Sequence, residues 1–197
     1  MNTNKSNSKY TWTIDTEFDW GGRTHHTDGI TVGLVRIRHL FRAHNIKALF
    51  FVSAELIRDH KWAIQDIVDD GHEIGSHGFF HDYYSARFRY ELDKEISMEL
   101  LSGIYPDIRF YRAPKFRYST ASDPYSTQHN TVGLLKHMWL KQRIPANPTF
   151  YLHPFDITRP NSRPPNLFCR FWYSKPDKAW DKLTKMVELY PGGKKLR

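Results

Sequence analysis

The sequence predicts an α/β fold of the barrel type, in which parallel strands alternate with helices. Short apolar runs that are typical of buried strands are separated by longer segments with the period of amphipathic helices. In addition, residues able to do chemistry directly follow several predicted strands, and in a βα barrel the loops after the strands converge on one face. A chain of 197 residues is long enough to form one domain with its own core.

Hydrophobic periodicity places the elements in order. Residues 11–14 alternate polar and apolar side chains, as a strand does. Residues 31–41 place their apolar side chains on one helical face, and residues 48–52 form a continuous apolar run typical of a buried parallel strand. The pattern further predicts a helix over 54–70, a strand over 73–75, a helix over 85–101, strands over 108–111 and 149–152, a loop over 160–165 and an amphipathic helix over 175–190.

Two finer expectations concern the middle of the chain. In the helix over 85–101, the spacing of Phe88, Leu92 and Ile96 predicts the face directed toward the core. Residues 131–142 also have a helical pattern.

A pair of histidines, His77 and His81, is the first candidate for a metal site. If the backbone turns helically there, positions four apart lie on one face and both imidazoles can reach one ion. The chain contains 11 histidines, so a pair of exposed surface histidines is the alternative. We interpret His72 as structural, and His25 and His26 as loop residues near the site rather than ligands.

Carboxylates at the end of the first strand are the second candidate. Asp15 and Glu17 are two residues apart and therefore point to the same side of an extended backbone. Two carboxylates aimed at one point repel each other unless a cation lies between them or one is protonated. The alternative is an acidic turn, in which Asp19 and the glycines at 21 and 22 simply end the strand.

Four sequence blocks together resemble a known family. The blocks TIDTE at 13–17, EIGSHGFFH at 73–81, FYRAP at 110–114 and FYLHPFD at 150–156 occur in order. They are similar to the motifs of the polysaccharide deacetylase family, also called the NodB-homology domain or carbohydrate esterase family 4. The resemblance extends from about residue 10 to residue 156. It implies a distorted, incomplete (β/α)7 barrel.

The resemblance implies a role for each matching residue. Asp15 would be the catalytic base, and His153 would be the general acid. The ligands of a divalent metal, with Zn²⁺ the expected ion, would be Glu17, His77 and His81. Two histidines and one carboxylate leave open coordination positions, as in a catalytic rather than a structural zinc site.

Three further residues belong to the implied site. Arg112 would pair with Asp15 and keep it ionised and oriented. Pro114 and Lys115 would line the substrate groove, and Lys115 would lend its backbone N–H to the oxyanion. Taken alone, Arg112 could be a surface arginine at a strand end, and His153 with the following proline could be a dipeptide that terminates a strand.

The activity implied is hydrolysis of an N-acyl amide, with N-acetyl the expected group, on an amino sugar of a polysaccharide, glycan precursor or glycolipid. Related families hydrolyse formyl amides or cyclic ureides with the same constellation, so these reactions stay open. The stretch between the third and last motifs, residues 115–149, looks shortened. Asp123 is the only aspartate there to orient His153, and Trp139 is the candidate for the apolar wall. A catalytically impaired sugar-binding homologue is therefore an alternative.

Composition bounds the remaining possibilities. The formal net charge of +8 indicates a basic protein, and nucleic acid, an anionic membrane surface and a phosphorylated substrate are the partners it suggests. No nucleic-acid-binding motif accompanies the charge, so we expect a solvated basic surface and no nucleic acid; contact with a membrane surface stays open. No apolar run approaches the ~20 residues of a membrane helix, and residues 1–9 are polar.

The expected organisation is a disordered tail over 1–9, a catalytic domain over 10–190 and a basic tail over 191–197. With the single Cys169, no internal disulfide can form and nothing indicates an oxidising compartment. We therefore expect a cytoplasmic protein. The oligomeric state is left open.

Overall fold

The computed structural model describes residues 11–81, 87–116, 131–159 and 164–191. These residues contain one parallel sheet with the strand order β3-β2-β1-β5-β4. The strands are β1 (Thr11–Thr16), β2 (Leu49–Val52), β3 (Glu73–Ser76), β4 (Thr131–Gly133) and β5 (Thr149–Leu152). The predicted α/β class is therefore confirmed.

Helices follow the strands along the chain. Short 3₁₀ or π-helical turns at Gly29–Leu34, Ala54–Leu56, Pro114–Phe116 and Pro154–Ile157 accompany them. The helices are α1 (Val35–Ala43), α2 (Ile57–Asp69), α3 (Arg87–Ser102), α4 (Leu134–Leu140), α5 (Leu167–Trp172) and α6 (Pro176–Leu189). None of the helices in the described part of the chain combines the length and the apolar character that a membrane crossing needs.

The central strands are buried because the sheet is covered on both faces. All four residues of β2 are buried, and β1 is buried from Trp12 onward. The Trp12 ring lies 4.5 Å from the Phe150 ring of β5, centroid to centroid, and 5.5 Å from that of Phe41 in α1. This continuous burial explains why β2 reads as an apolar run rather than as an alternating one.

The predicted strand over 108–111 is not a strand. Only Tyr111 pairs with the sheet, through a single parallel bridge to Ser76 at the end of β3. The preceding residues of that segment are half-buried or exposed, so they gain little from lying against the sheet edge. The bridge nevertheless fixes the third motif, because Arg112 N–H donates to the Ser76 carbonyl over 2.8 Å.

The predicted inward face of the third helix is wrong for Leu92 and Ile96, and the Phe88 side chain lies outside the described part of the chain. Leu92 and Ile96 are 52% and 42% exposed, whereas Asp93 and Ser97 are buried. The hydrophobic period assumes that only apolar side chains face inward. In α3 the polar Asp93 and Ser97 are buried together with Tyr90 and Leu101. The two polar side chains bind the end of β3 and the loop that follows it.

The helical pattern over 131–142 begins with a strand. Thr131–Gly133 forms β4, which pairs with β5 in parallel, and only Leu134–Leu140 is helical. The described part of the stretch between the third and last motifs therefore adds one strand and one helix. Among the described residues the sheet stays open between β3 and β4, in agreement with an incomplete barrel.

The parallel arrangement places four motifs at one edge of the sheet. Asp15 lies at the carboxyl end of β1, His77 follows β3, Arg112 follows the bridge to β3, and His153 follows β5. Because parallel strands share a direction, their carboxyl ends meet at a common edge, where sites of α/β proteins form.

Candidate active site

Glu17, His77 and His81 form a cluster that could hold a metal ion. One potential ligand atom of each lies within 4.8 Å of the others. The Nε2 atom of His77 is 3.3 Å from Glu17 Oε2, and that of His81 is 2.9 Å from the same oxygen. The three side chains that the family resemblance implied as ligands therefore lie together, one from the end of β1 and two from the loop after β3.

The chemistry of this cluster fits a divalent cation. Both Glu17 oxygens are buried, and among the described residues neither accepts a hydrogen bond, although two imidazole nitrogens are close to one of them. Burial raises the pKa of Glu17, but attraction from His81 and His77 outweighs it and leaves the pKa below its usual range. A buried, ionised carboxylate is strongly stabilised by an ion.

His77 is oriented by its other ring nitrogen. Its Nδ1 lies 2.8 Å from the Arg112 carbonyl oxygen, which accepts the hydrogen bond when Nδ1 carries the proton. In the neutral ring, Nε2 then carries the lone pair, and it faces Glu17. Metal-binding histidines commonly use a backbone carbonyl in this way.

The loop that carries His81 is not the helical turn on which the spacing argument relied. Gly78 has a φ of +83°, which a helix does not allow, and the chain bends instead. Asp93 of α3 accepts a hydrogen bond from Phe79 N–H over 3.0 Å, and Ser76 Oγ accepts one from Gly78 N–H over 3.1 Å. A Cβ at Gly78 would come within 2.4 Å of Asp93 Oδ2. Sequence periodicity did not identify Asp93, because a charged residue in a helical segment is normally assigned to the exposed face.

The turn after β1 leaves room for His81. Gly22 has a φ of +67°, and a Cβ there would lie 2.7 Å from the His81 Cβ. The glycines at 21 and 22 therefore do more than end the strand, since they allow the two loops to approach.

Asp15 and Arg112 form a buried ion pair beside the cluster. Arg112 Nη1 donates to Asp15 Oδ1 over 2.5 Å, and the Arg112 side chain is completely buried. Both terminal guanidinium nitrogens also donate to Thr13 Oγ1 over 3.2 Å, and the guanidinium carbon lies 4.0 Å from the centre of the Phe51 ring. Arg112 is therefore not a surface arginine. The second oxygen of Asp15, Oδ2, is directed at His77 Nε2, 3.9 Å away.

His153 approaches the cluster from β5. Its Nε2 lies 3.7 Å from Glu17 Oε1, and its ring stacks on Phe155 with centroids 4.7 Å apart. Asp156 Oδ1 lies 3.4 Å from His153 Nδ1, and Asp156 Oδ2 accepts the His153 backbone N–H over 2.9 Å. Burial lowers the pKa of His153, but Asp156, with smaller contributions from Glu17 and Asp15, outweighs it and raises the pKa to about 9.

Asp156 is a residue of the candidate site that the sequence reasoning missed. Asp123, the aspartate proposed to orient His153, lies outside the described residues. The spacing in the sequence could have identified Asp156. A carboxylate three residues after His153 can contact its imidazole when Pro154–Ile157 forms a 3₁₀ turn.

A cavity of about 390 Å³ lies over these side chains. Asp15, Glu17, His77, His81 and His153 line it, and Lys115 lines it from the turn after the third motif. Lys115 adopts a φ of +55°. Pro114, also predicted to line the groove, is buried and does not line this cavity.

Trp139, the residue expected to form the apolar wall of the site, lies elsewhere. Trp139 does not line the cavity but stacks on Phe171, with centroids 5.1 Å apart, because its indole N–H is held by the Trp172 carbonyl at 2.9 Å. Aromatic rings from other elements line the cavity instead, namely those of Trp20, Tyr151, Phe155, Phe168 and Tyr173.

Comparison with known proteins places this arrangement in a family. The family model for polysaccharide deacetylases matches residues 18–132, more than half of the chain. The chain belongs to the polysaccharide deacetylase family. The matched range includes His77, His81 and Arg112, whereas Asp15, Glu17 and His153 lie outside it.

Solved structures of carbohydrate esterase family 4 share the fold. A mutant with restored enzymatic activity of a pseudoenzyme from Bacillus anthracis has a TM-score of 0.60 at 17% identity, covering 93% of this chain and 64% of its own. A peptidoglycan N-acetylglucosamine deacetylase has a TM-score of 0.58 at 18% identity, covering 94% and 86%. An acetyl xylan esterase from Clostridium thermocellum, solved with a cobalt ion, has a TM-score of 0.57 at 16% identity, covering 94% and 86%.

At these identities the structural likeness shows the fold alone. This chain spans less than two thirds of the length of the Bacillus anthracis protein. A search of curated protein sequences found no match.

Proposed function

We propose that this member of the polysaccharide deacetylase family is a metal-dependent hydrolase that removes an N-acyl group from an amino sugar of a polysaccharide, glycan precursor or glycolipid. N-acetyl is the expected acyl group. The observation that carries the proposal is the convergence in one cavity of a Glu/His/His cluster, the Asp15 carboxylate and the His153 imidazole. Each of the three supplies a part that amide hydrolysis requires.

Glu17, His77 and His81 would hold the divalent ion, with Zn²⁺ the best match for two imidazoles and one carboxylate. When bound, such an ion polarises an acyl carbonyl and makes a nearby water more acidic. The buried backbone contact of His77 with Arg112 keeps its ligand atom aimed at the cluster.

Asp15 is the proposed base. Arg112 engages its Oδ1, so Oδ2 is the oxygen that faces the cluster and accepts the proton of the attacking water. The water oxygen adds to the acyl carbon, and the backbone N–H of Lys115 is the proposed donor to the oxyanion.

His153 is the proposed acid. An amine leaves poorly unless it is protonated, so a proton must reach the nitrogen as the carbon–nitrogen bond breaks. Asp156 faces His153 Nδ1, which leaves Nε2 directed at the cluster to donate that proton. The products are the free carboxylate and the free amino sugar.

Exchange of Asp15 for asparagine tests the proposal. We expect Asp15→Asn to keep the shape of the pair with Arg112 and to keep the bound metal, but to lose acetate release from N-acetylated sugars by about a hundredfold or more, as for other general bases. Metal content is measured by elemental analysis and acetate by an enzyme-coupled assay. Asp59→Asn, at an exposed carboxylate of α2, is the matched control.

Full activity of Asp15→Asn would contradict the mechanism. A wild-type protein that binds zinc but hydrolyses none of a panel of N-acetyl, N-formyl and cyclic-ureide substrates would instead identify an impaired sugar-binding homologue. Mass spectrometry of the products distinguishes the acyl groups.

A further inference from the structure

The cavity over the candidate active site carries opposite charges at different depths. Its two carboxylates, Asp15 and Glu17, are buried at the base. Its lysine and arginine side chains are exposed and belong to Arg23, Lys115 and Lys136. The rim is therefore positive while the acidic groups lie beneath it.

The buried carboxylates do not neutralise this rim. Asp15 is paired with Arg112 at 2.5 Å, and Glu17 lies against His77 and His81. A divalent cation at the cluster would compensate Glu17 further. The charge available to a ligand that enters the cavity is therefore positive.

Two of the rim cations have no acidic partner within the part of the chain that the structure describes. Neither Arg23 nor Lys136 forms an ion pair or a hydrogen bond with any described residue. They come from separate elements, since Arg23 belongs to the turn after β1 and Lys136 to α4. Like charges from different elements that converge on one cavity focus the field there and attract anions.

Part of the remaining wall is aromatic. Trp20, Phe155 and Tyr173 pack together, with the Trp20 and Tyr173 rings 5.2 Å apart and the Phe155 and Tyr173 rings 5.4 Å apart. Aromatic faces suit the apolar faces of a sugar ring. A volume near 390 Å³ lies within the range of small-molecule pockets.

We propose that the amino sugar deacylated by this chain carries a phosphate group, which Arg23, Lys115 and Lys136 bind at the cavity rim. This inference rests on the proposed function and names its substrate class. Three converging cations exceed what one carboxylate needs but match a dianionic phosphate, to which arginine and lysine donate charge-assisted hydrogen bonds. A free sugar phosphate and a nucleotide- or lipid-linked one share this chemistry.

Steady-state kinetics of the zinc-loaded protein test the proposal. The substrates are N-acetylglucosamine, its 1-phosphate, its 6-phosphate, its uridine-diphosphate conjugate, N-acetylmuramic acid and chitotetraose. We expect kcat/KM to be about tenfold or more higher for a phosphorylated sugar than for the neutral ones, because a charge-assisted hydrogen bond contributes roughly that factor. The preference should shrink as salt screens the rim charges. The free phosphates and the diphosphate conjugate distinguish the two sources.

Charge-removing variants assign the preference to the rim. Lys136→Gln and Arg23→Gln should each reduce the preference for the phosphorylated sugar several-fold, chiefly through KM. Lys61→Gln, which removes an exposed lysine of α2 that does not line the cavity, is the matched control and should leave the preference unchanged.

Equal kcat/KM for neutral and phosphorylated sugars would overturn the inference but not the proposed function. A preference for N-acetylmuramic acid alone would replace phosphate by carboxylate and would also overturn it. If no substrate is turned over, the proposed function fails instead, and calorimetric titration with N-acetylglucosamine 6-phosphate still decides the charge question: binding that Lys136→Gln weakens supports the phosphate site, and its absence overturns it.

Discussion

At the scale of single residues, His72 shows how burial turns a histidine into a structural group. It is 3% exposed, its ring lies 4.9 Å from the Phe50 ring, and its Nδ1 accepts the Ala48 backbone N–H over 3.3 Å. Burial, together with the positive charge of Lys47, lowers the pKa of His72 to about 4. The interpretation of His72 as structural agrees with these contacts.

This low pKa predicts a loss of stability in acid. The unfolded chain binds a proton at His72 near pH 6.5, whereas the folded chain does so only near pH 4. Stability contributed by the neutral ring is therefore complete above pH 6.5 and is lost as the pH falls to about 4, by up to about 3 kcal/mol. In urea unfolding at several pH values, His72→Asn should flatten this dependence, since asparagine keeps an acceptor but does not titrate. An equally steep dependence in the variant would assign the effect elsewhere.

Asp156 is predicted to act through His153. Asp156→Asn should lower kcat by about tenfold to a hundredfold, because the imidazole loses the carboxylate that orients it, while metal content stays the same. The double variant with His153→Asn should be no slower than His153→Asn alone, since residues that act as a unit are not additive. Additive losses in this cycle would show that Asp156 has a role independent of His153.

At the scale of elements, α3 supports the loop of the two candidate metal ligands, His77 and His81, with polar side chains. Asp93 binds the backbone of Phe79, and Ser97 Oγ lies 2.6 Å from Ser76 Oγ. These contacts explain why the side of α3 that is turned toward the sheet is not its most hydrophobic side. They connect the packing of α3 to the position of both histidines.

Asp93→Ala is therefore expected to weaken metal binding. The Phe79 N–H would lose its acceptor, which costs about 1–3 kcal/mol, and His81 would be less well placed. Zinc affinity, measured by competition with a chelating dye, should fall about 10–100-fold, the range found for residues that support metal ligands. Glu95→Ala, two residues along the same helix and exposed, is the control. Equal zinc affinities in the two variants would show that the loop of His77 and His81 keeps its conformation without Asp93.

At the scale of the whole molecule, the open sheet brings side chains that follow β1 and β3 to one cluster that could hold a metal ion. An ion that binds only the folded state stabilises it by mass action, by about 2.7 kcal/mol at a hundredfold excess over Kd. For a domain of this size we expect zinc to raise the Tm by about 5–10 °C. A chelator should reverse the shift in a thermal scan. Glu17→Gln should bind zinc more weakly and show a smaller shift; an undiminished shift would place the ion elsewhere.

Much of the site could be predicted from the sequence because its residues are local to strand ends. Asp15 and Glu17 lie at the end of β1, and His77 directly follows β3. Residues at the carboxyl ends of parallel strands lie at the same edge of the sheet, whichever position the strand has. Glycines at 21, 22 and 78 mark the turns that the cluster needs. The cytoplasmic location, the domain limits and the tails at 1–9 and 191–197 stay predictions.

The sequence by itself determined the fold class, the family and the residues that converge at the sheet edge, because each depends on a local pattern. Only the tertiary structure decided that residues 131–133 form a strand, that α3 turns Asp93 inward and that Asp156 holds His153. Strand pairing and the burial of a polar side chain depend on partners distant in the chain. Their free energy comes from contacts that no local period records.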